Sequence, residues 1–187
     1  MKTRLDQFDP SQGLDRGASR PKEALWWLVR TWFFQSGLPW PRALKRTLLR
    51  AFGARVGTGV VIKPRVTIHF PWKLSIGDHA WIGEEAFLLN FEPLAIGAHV
   101  CISLRAFPCG GNHDFRDPAF RYRNGPITLH DGVWIGAQVF VAPNVTIGAE
   151  TVVAANAVVR TDLPPNCVCS GDPAVPQSER WKAHAGG

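Results

Sequence analysis

From Val56 onward, aliphatic residues recur every six positions, and this period dominates the second half of the chain. Each aliphatic residue opens a hexapeptide whose fifth position is small or β-branched. Gly or another small residue often follows the opener, as in Ile76-Gly77 and Ile135-Gly136. The openers are Val56, Ile62, Ile68, Ile76, Ile82, Leu88, Ile96, Ile102, Leu129, Ile135, Val141, Ile147, Val153 and Val159.

This repeat predicts a solenoid in which three short strands and three tight turns make one triangular coil. Each opener points inward and stacks on the opener one coil away, at roughly the 4.8 Å spacing of paired strands. Because a coil buries its core only against its neighbours, several coils are needed. The openers at 56, 76, 96, 129 and 147 indicate about five coils. The predicted fold class is therefore mainly β, a parallel β-helix with an N-terminal helical segment and one long extruded loop.

The loss of the repeat marks the other parts of the chain. The repeat is absent between residues 107 and 126, where the sequence is FPCGGNHDFRDPAFRYRNGP. An excursion this long inside a strict repeat is usually functional. The chain divides into an irregular tail (1–20), an amphipathic helical capping segment (21–54), the β-helix (55–176, with its loop at 107–126) and a C-terminal tail (177–187).

The balance of charges changes this picture only by indicating an anionic partner. The formal net charge is +6, which suits nucleic acid, a phosphorylated cofactor or a membrane surface. The basic residues accompany no known nucleic-acid motif, so no nucleic-acid partner is predicted. The first residues lack the apolar core of a signal peptide. The 4 Cys are therefore expected to be reduced and the protein cytoplasmic.

Residues 24–52 combine aromatic and basic side chains in two stretches, ALWWLVRTWFF and RALKRTLLRAF. Two short amphipathic helices are expected. Their aromatic side chains suit a cap on the open end of the solenoid or a contact with another subunit, because exposed coil edges invite association. The second possibility is peripheral contact with the inner membrane face, with Lys45, Arg46 and Arg50 facing anionic lipid.

Taken together, the repeat, the GNHDFRDP loop and the tail TDLPPNCVCSGDPA resemble the hexapeptide-repeat acetyltransferases over about residues 22–176. The branch most resembled is that of the colanic-acid and exopolysaccharide O-acetyltransferases, which are related to galactoside and maltose O-acetyltransferases. The resemblance implies a left-handed β-helix and a homotrimer with active sites between subunits. It also implies acetyl-CoA as donor, a sugar or glycan as acceptor, and O-acetyl transfer to a sugar hydroxyl.

The resemblance makes His113 the candidate catalytic residue, because a His on this loop acts as the base in the family. A sugar hydroxyl needs such a base, and an imidazole titrates near working pH. Its tautomer needs a partner, for which Asp114 and a backbone carbonyl are the alternatives. Asn90, one coil before the loop, either binds an acceptor hydroxyl or is an ordinary corner Asn, and Asp114 is the second candidate substrate-binding residue.

The donor site is expected along the later coils, where small side chains let pantetheine approach the backbone. Ala137 and Ala155 occupy the matching positions, Trp134 lies beside the same groove, and Arg160 suits the phosphates. The family usually has a basic residue just after the PA of GDPA, where this chain has Val175. Arg180 or Lys182 are the alternative phosphate contacts.

One further enzyme class and one non-enzymatic role remain as alternatives. N-acetylation of an amino sugar would use the same architecture, and a non-catalytic scaffold would lack donor binding. A γ-type carbonic anhydrase needs three His ligands for zinc, but the loop offers only His113, so no metal is predicted. Cys109 near His113 is expected to be an ordinary thiol and not a nucleophile.

Overall fold

The computed structural model describes residues 2–182, so residues 183–187 of the predicted C-terminal tail lie outside it. Strands are numbered along the chain and stack as three sides of a solenoid. The first side contains β1 (Arg55–Val56), β4 (Leu74–Ile76), β7 (Leu94–Ile96), β10 (Ile127–Leu129) and β13 (Thr146–Ile147). The second contains β2 (Val61–Ile62), β5 (Trp81–Ile82), β8 (Cys101–Ile102), β11 (Trp134–Ile135), β14 (Val152–Val153), β16 (Cys167–Ser170) and β17 (Val175–Glu179).

The third side is a pair of strands followed by a group of three. It contains β3 (Thr67–Ile68) and β6 (Phe87–Leu88), then β9 (Phe107–Pro108), β12 (Phe140–Val141) and β15 (Val158–Val159). A bridge between Leu89 and Cys109 joins the two groups. Apart from β16 with β17, the paired strands are parallel, as expected of a solenoid.

The predicted register is confirmed. Ile76 pairs with Ile96 and Ile96 with Leu129, each opener lying over the opener of the next coil. All fourteen openers are buried and at most 9% exposed. The corners use left-handed backbone at Asn144 (φ 64°) and Asn156 (φ 61°), a conformation that Asn tolerates better than most residues. The repeat therefore specifies both the core and the turns.

The expected number of about five coils is too low, because a partial sixth turn follows. Leu163 bridges to Ile147, and Cys169 of β16 pairs with Val153. The residues of each pair are 16 positions apart and not the 18 of three hexapeptides, so counting hexapeptides does not include this sixth turn. Strand β17 then pairs antiparallel with β16. The boundary expected between residues 176 and 177 consequently falls inside β17.

At the opposite end, the N-terminal segment covers the first coil. It consists of α1 (Arg20–Val29), a π-helical turn (Arg30–Phe34) and α2 (Arg42–Ala51). Trp26, Phe34 and Leu49 join the solenoid core and are at most 1% exposed. Since the first coil donates its N–H groups to the second, as Val61 does to the Ala80 carbonyl, its own carbonyls face the open end.

Side chains of the cap satisfy these carbonyls. The donors are Lys45 to Ile62 and Lys63 (3.3 and 3.0 Å), Arg46 to Val60 (3.1 Å), Arg50 to Val56 and Gly57 (2.6 and 2.9 Å), and the Trp26 indole to Ile68 and His69 (3.1 and 3.0 Å). The alternative in which Lys45 faces lipid is wrong, because Lys45 is buried against these carbonyls. Arg46 and Arg50 also direct donors at carbonyls, but Arg46 is half-buried and Arg50 is exposed. Within residues 2–182, no helix combines the length and apolar character required to cross a membrane.

Candidate active site

The loop that interrupts the repeat folds back on itself as a hairpin. His113 forms an antiparallel bridge with Tyr122, and the Gly125 N–H donates to the Gly110 carbonyl at 3.0 Å across the base of the hairpin. A Cβ on Gly125 would overlap the side chain of Asn144, so only Gly lets this arm lie against the following coil. The hairpin thereby starts from a fixed position at the corner after the third side.

One hydrogen bond fixes the tautomer of His113. The ring Nδ1 lies 2.6 Å from the backbone carbonyl oxygen of Phe120. A carbonyl only accepts, so Nδ1 carries the proton and donates it, which leaves the Nε2 lone pair free. An imidazole in this state can accept a proton at Nε2. The backbone-carbonyl alternative is therefore the one that the structure shows.

Asp114 does not contact the His113 ring, so it is not the one of the two alternatives that orients the imidazole. Its Oδ1 accepts the Arg116 N–H at 2.9 Å, which closes a local turn at the tip of the hairpin. A short carboxylate side chain readily bonds the backbone two residues ahead, and this contact takes it away from the imidazole.

Three aromatic rings surround the imidazole. Phe120 stacks on it with centroids 4.4 Å apart, Tyr122 lies at 4.8 Å, and Phe8 meets it edge to face at 5.3 Å. Phe8 belongs to the segment expected to be an irregular tail, which is tied to the hairpin by the Arg4 N–H donating to the Pro118 carbonyl at 2.8 Å. Sequence reasoning missed these three residues, although a lone Phe in a polar tail was an available signal.

Asn90 lies at the corner just before the hairpin but is 1% exposed. Its Oδ1 accepts the N–H groups of His69 and Phe70 at 3.1 and 3.0 Å, and its Nδ2 donates to the Phe70 carbonyl at 2.6 Å. Of the two alternatives for Asn90, these contacts match the corner role. Its amide holds the backbone of the preceding coil.

The expected donor residues lie at a different corner from His113. Ala137 and Ala155 stack at the corner between the second and third sides, where the Asn156 N–H donates to the Ala137 carbonyl at 2.9 Å. Trp134 projects outward from β11 beside this corner, 48% exposed, and its indole N–H donates to Ser103 Oγ at 3.0 Å. Within one chain, the strands of the third side separate these residues from the hairpin corner.

The candidate phosphate contacts are divided between exposed and structural positions. Arg160 follows β15 and forms an exposed ion pair with Asp172 at 2.8 Å, which leaves it accessible. Arg180 donates to the Gly132 carbonyl at 2.8 Å and pairs with Glu150, so its guanidinium fastens the end of the chain to the solenoid. Lys182 is exposed.

The remaining reactive groups have structural surroundings. Cys109 is buried, burial raises the pKa of its thiol, and its Sγ contacts the Gly111 carbonyl, so it is unsuited to nucleophilic attack. His79 and His99 stack at one corner with centroids 5.2 Å apart, because they occupy equal positions in successive coils. Over residues 2–182, no three His, Cys, Asp or Glu side chains lie close enough together to hold a metal ion.

Comparison with known proteins identifies relatives that are hexapeptide-repeat transferases or acetyltransferases. The family described as Bacterial transferase hexapeptide (six repeats) matches residues 126–161. An Escherichia coli protein, provisionally named as the colanic acid biosynthesis acetyltransferase WcaF, is 44% identical over 94% of this chain and 96% of its own. The galactoside O-acetyltransferase of Escherichia coli is 30% identical over 69% of this chain and 65% of its own.

A solved structure matches nearly the whole chain. It is a hexapeptide-repeat acetyltransferase from Vibrio cholerae O1 biovar eltor in complex with acetyl coenzyme A. The two share 30% sequence identity and superpose with a TM-score of 0.80, covering 95% of this chain and 98% of the other. The N-terminal cap and the hairpin corner thus belong to an architecture seen in an acetyl-CoA-binding protein.

Proposed function

The chain belongs to the hexapeptide-repeat acetyltransferases, and from this premise we propose that it transfers the acetyl group of acetyl-CoA to a hydroxyl of a sugar, in the synthesis of an exopolysaccharide or related glycan. The observation that carries the proposal is the hydrogen bond from His113 Nδ1 to the Phe120 carbonyl. It holds one imidazole in the tautomer that a general base requires.

In the proposed reaction, Nε2 of His113 accepts the proton of the acceptor hydroxyl as its oxygen attacks the thioester carbonyl carbon. The new C–O bond forms, the C–S bond breaks, and the proton passes from the imidazolium to the departing CoA thiolate. Holding both substrates in register supplies a large part of the rate. No metal or covalent enzyme intermediate is required for this balance.

We further propose a homotrimer with each active site shared by two protomers. The support is the separation, within one chain, of the hairpin corner from the corner that contains Ala137 and Ala155. A partner's donor corner set beside the hairpin would bring acetyl-CoA to His113. Cyclic symmetry then gives three equal sites, each with a base from one chain and a donor groove from the next.

An acetyl-transfer assay with matched acceptors tests the activity. The purified protein is incubated with acetyl-CoA and either a hexose or the corresponding amino sugar, with CoA release and product mass followed together. We expect an ester, which mild base removes. A base-stable amide formed only on the amino sugar would indicate N-acetylation instead. Absence of transfer together with no heat of acetyl-CoA binding would indicate a scaffold.

A further inference from the structure

The outward side of the N-terminal cap is strongly apolar. Leu25, Trp27, Leu28 and Trp32, with Leu38 in the following turn, are between 54% and 65% exposed. Leu25, Trp27 and Leu28 belong to α1, and Trp32 belongs to the π-helical turn that continues it. The opposite side of the same helix buries Trp26 in the solenoid core. We call these five exposed side chains the α1 apolar face.

Exposed side chains of this size in one segment mark an interaction surface. The only charged residues between 20 and 34 are Arg20, Lys22, Glu23 and Arg30. Glu23 is paired with Arg16, and Arg30 is buried. Arg20, in contrast, is exposed and lines a surface hollow of about 520 Å³ with Glu23, Ala24, Trp27 and Leu28. The α1 apolar face therefore presents Trp and Leu side chains beside an exposed cation.

The net charge of the molecule is concentrated in this cap. Residues 20–54 contain seven of the 21 Lys and Arg residues but only one of the 15 Asp and Glu residues. The segment thus accounts for the whole +6, and the rest of the chain is neutral. Arg20 and Arg42 are exposed and provide accessible positive charge on the cap, whereas Lys45 is buried.

From these observations we propose that the α1 apolar face docks on the surface of an anionic lipid bilayer. Trp side chains favour the membrane–water interface, Leu side chains enter the acyl boundary, and a basic surround attracts anionic headgroups. A second copy of the chain is a poorer occupant, because it would bring two segments of charge +6 together. This inference does not depend on the acetyl-transfer chemistry.

Vesicle co-sedimentation of the full chain tests the proposal. The protein is mixed with vesicles of phosphatidylcholine alone or with a third of phosphatidylglycerol, at low and high salt. We expect sedimentation with the anionic vesicles that is at least fivefold greater than with the neutral ones and falls as salt rises. Trp27→Ser/Trp32→Ser should lose at least fivefold of this binding, and Arg20→Glu should weaken it less.

Trp181→Ser is the matched control, because Trp181 is 58% exposed but follows β17 at the other end of the chain. It should sediment like the unchanged protein, and circular dichroism should show that all variants fold. Equal binding by the double Trp variant would overturn the proposal. A lack of wild-type binding to anionic vesicles would also overturn the proposal. If, in that case, the double variant changed the molecular mass in light scattering, the α1 apolar face would instead contact another copy of the chain.

Discussion

At the scale of single residues, the decisive feature is that a carbonyl and three rings together hold His113. The carbonyl of Phe120 sets the tautomer, and Phe120, Tyr122 and Phe8 limit rotation of the imidazole. His113 was named as the candidate base from the family resemblance of the loop that breaks the repeat. Its surroundings were not predictable, because the pairing of His113 with Tyr122 and the approach of Phe8 depend on tertiary contacts.

Phe8 is predicted to be a positioning residue. Phe8→Ala should lower kcat for acetyl transfer about tenfold, since the imidazole loses its edge-to-face neighbour and samples unproductive orientations. The KM for acetyl-CoA should change little, and Phe8→Tyr should restore most of the rate. Leu5→Ala, in the same segment and 64% exposed, is the control. Equal kcat values for Phe8→Ala and Leu5→Ala would refute this role.

His69 should make stability dependent on pH. Burial and the nearby guanidinium groups of Arg30 and Arg16 lower the pKa of His69 to about 4, from an ordinary value of 6.5. Between pH 4 and pH 6.5, the unfolded chain therefore binds a proton at His69 more readily than the folded chain does. The contribution of His69 to the free energy of unfolding is intact above pH 6.5 and is lost as pH falls toward 4. After solvent screening, the loss is about 2 kcal/mol.

Urea unfolding at pH 7 and pH 4.5 measures this dependence. His69→Leu should show a smaller decrease in the free energy of unfolding between the two pH values than the unchanged protein. Other groups titrate equally in both, so the difference reports His69. An identical decrease in the two proteins would contradict the assignment.

At the scale of elements, the open carbonyl edge of the first coil explains why a basic helix follows an aromatic one. The aromatic residues fill the end of the core, and α2 provides cations to carbonyls that no strand can reach. The sequence pattern predicted two helices and favoured a cap. It could not distinguish cations facing carbonyls from cations facing lipid, because helical periodicity alone does not specify what a polar side chain contacts.

Lys45 gives a test of this capping. Lys45→Met retains most of the side-chain volume but leaves the carbonyls of Ile62 and Lys63 without their donor. Burial lowers the pKa of Lys45, so removing a buried charge offsets part of the loss, and about 2 kcal/mol of destabilisation is expected. Arg42→Met on the exposed side of α2 should cost less than about 0.5 kcal/mol. Equal unfolding midpoints would exclude the capping role.

At the scale of the whole molecule, the hexapeptide repeat made the solenoid predictable, because aliphatic openers recur at one spacing and specify the same register in every coil. The partial sixth turn was not predicted, because its spacing is two residues shorter than three hexapeptides. The relation between His113 and the donor corner could not come from the repeat either. Both lie on one chain, but at corners separated by the third side.

A shared site predicts complementation between two inactive variants. His113→Ala lacks the base, and Ala155→Trp blocks the donor corner, so each alone should be inactive. In trimers assembled from equal amounts of both, about a quarter of the sites combine an intact His113 with an intact donor corner, and about a quarter of the activity should return. Co-expression followed by the transfer assay measures this. No recovered activity in demonstrably mixed trimers would contradict a shared site.

The central claim is that His113 is the base for acetyl transfer, and the kcat of His113→Ala measured beside its Kd for acetyl-CoA tests it most directly. The expected result is a decrease in kcat of about a thousandfold with an unchanged Kd, since the imidazole acts on the reacting hydroxyl and not on donor binding. His130→Ala, which removes an exposed His elsewhere on the solenoid, should behave like the unchanged protein. A His113→Ala enzyme that turns over within about twofold of the unchanged rate would contradict the claim.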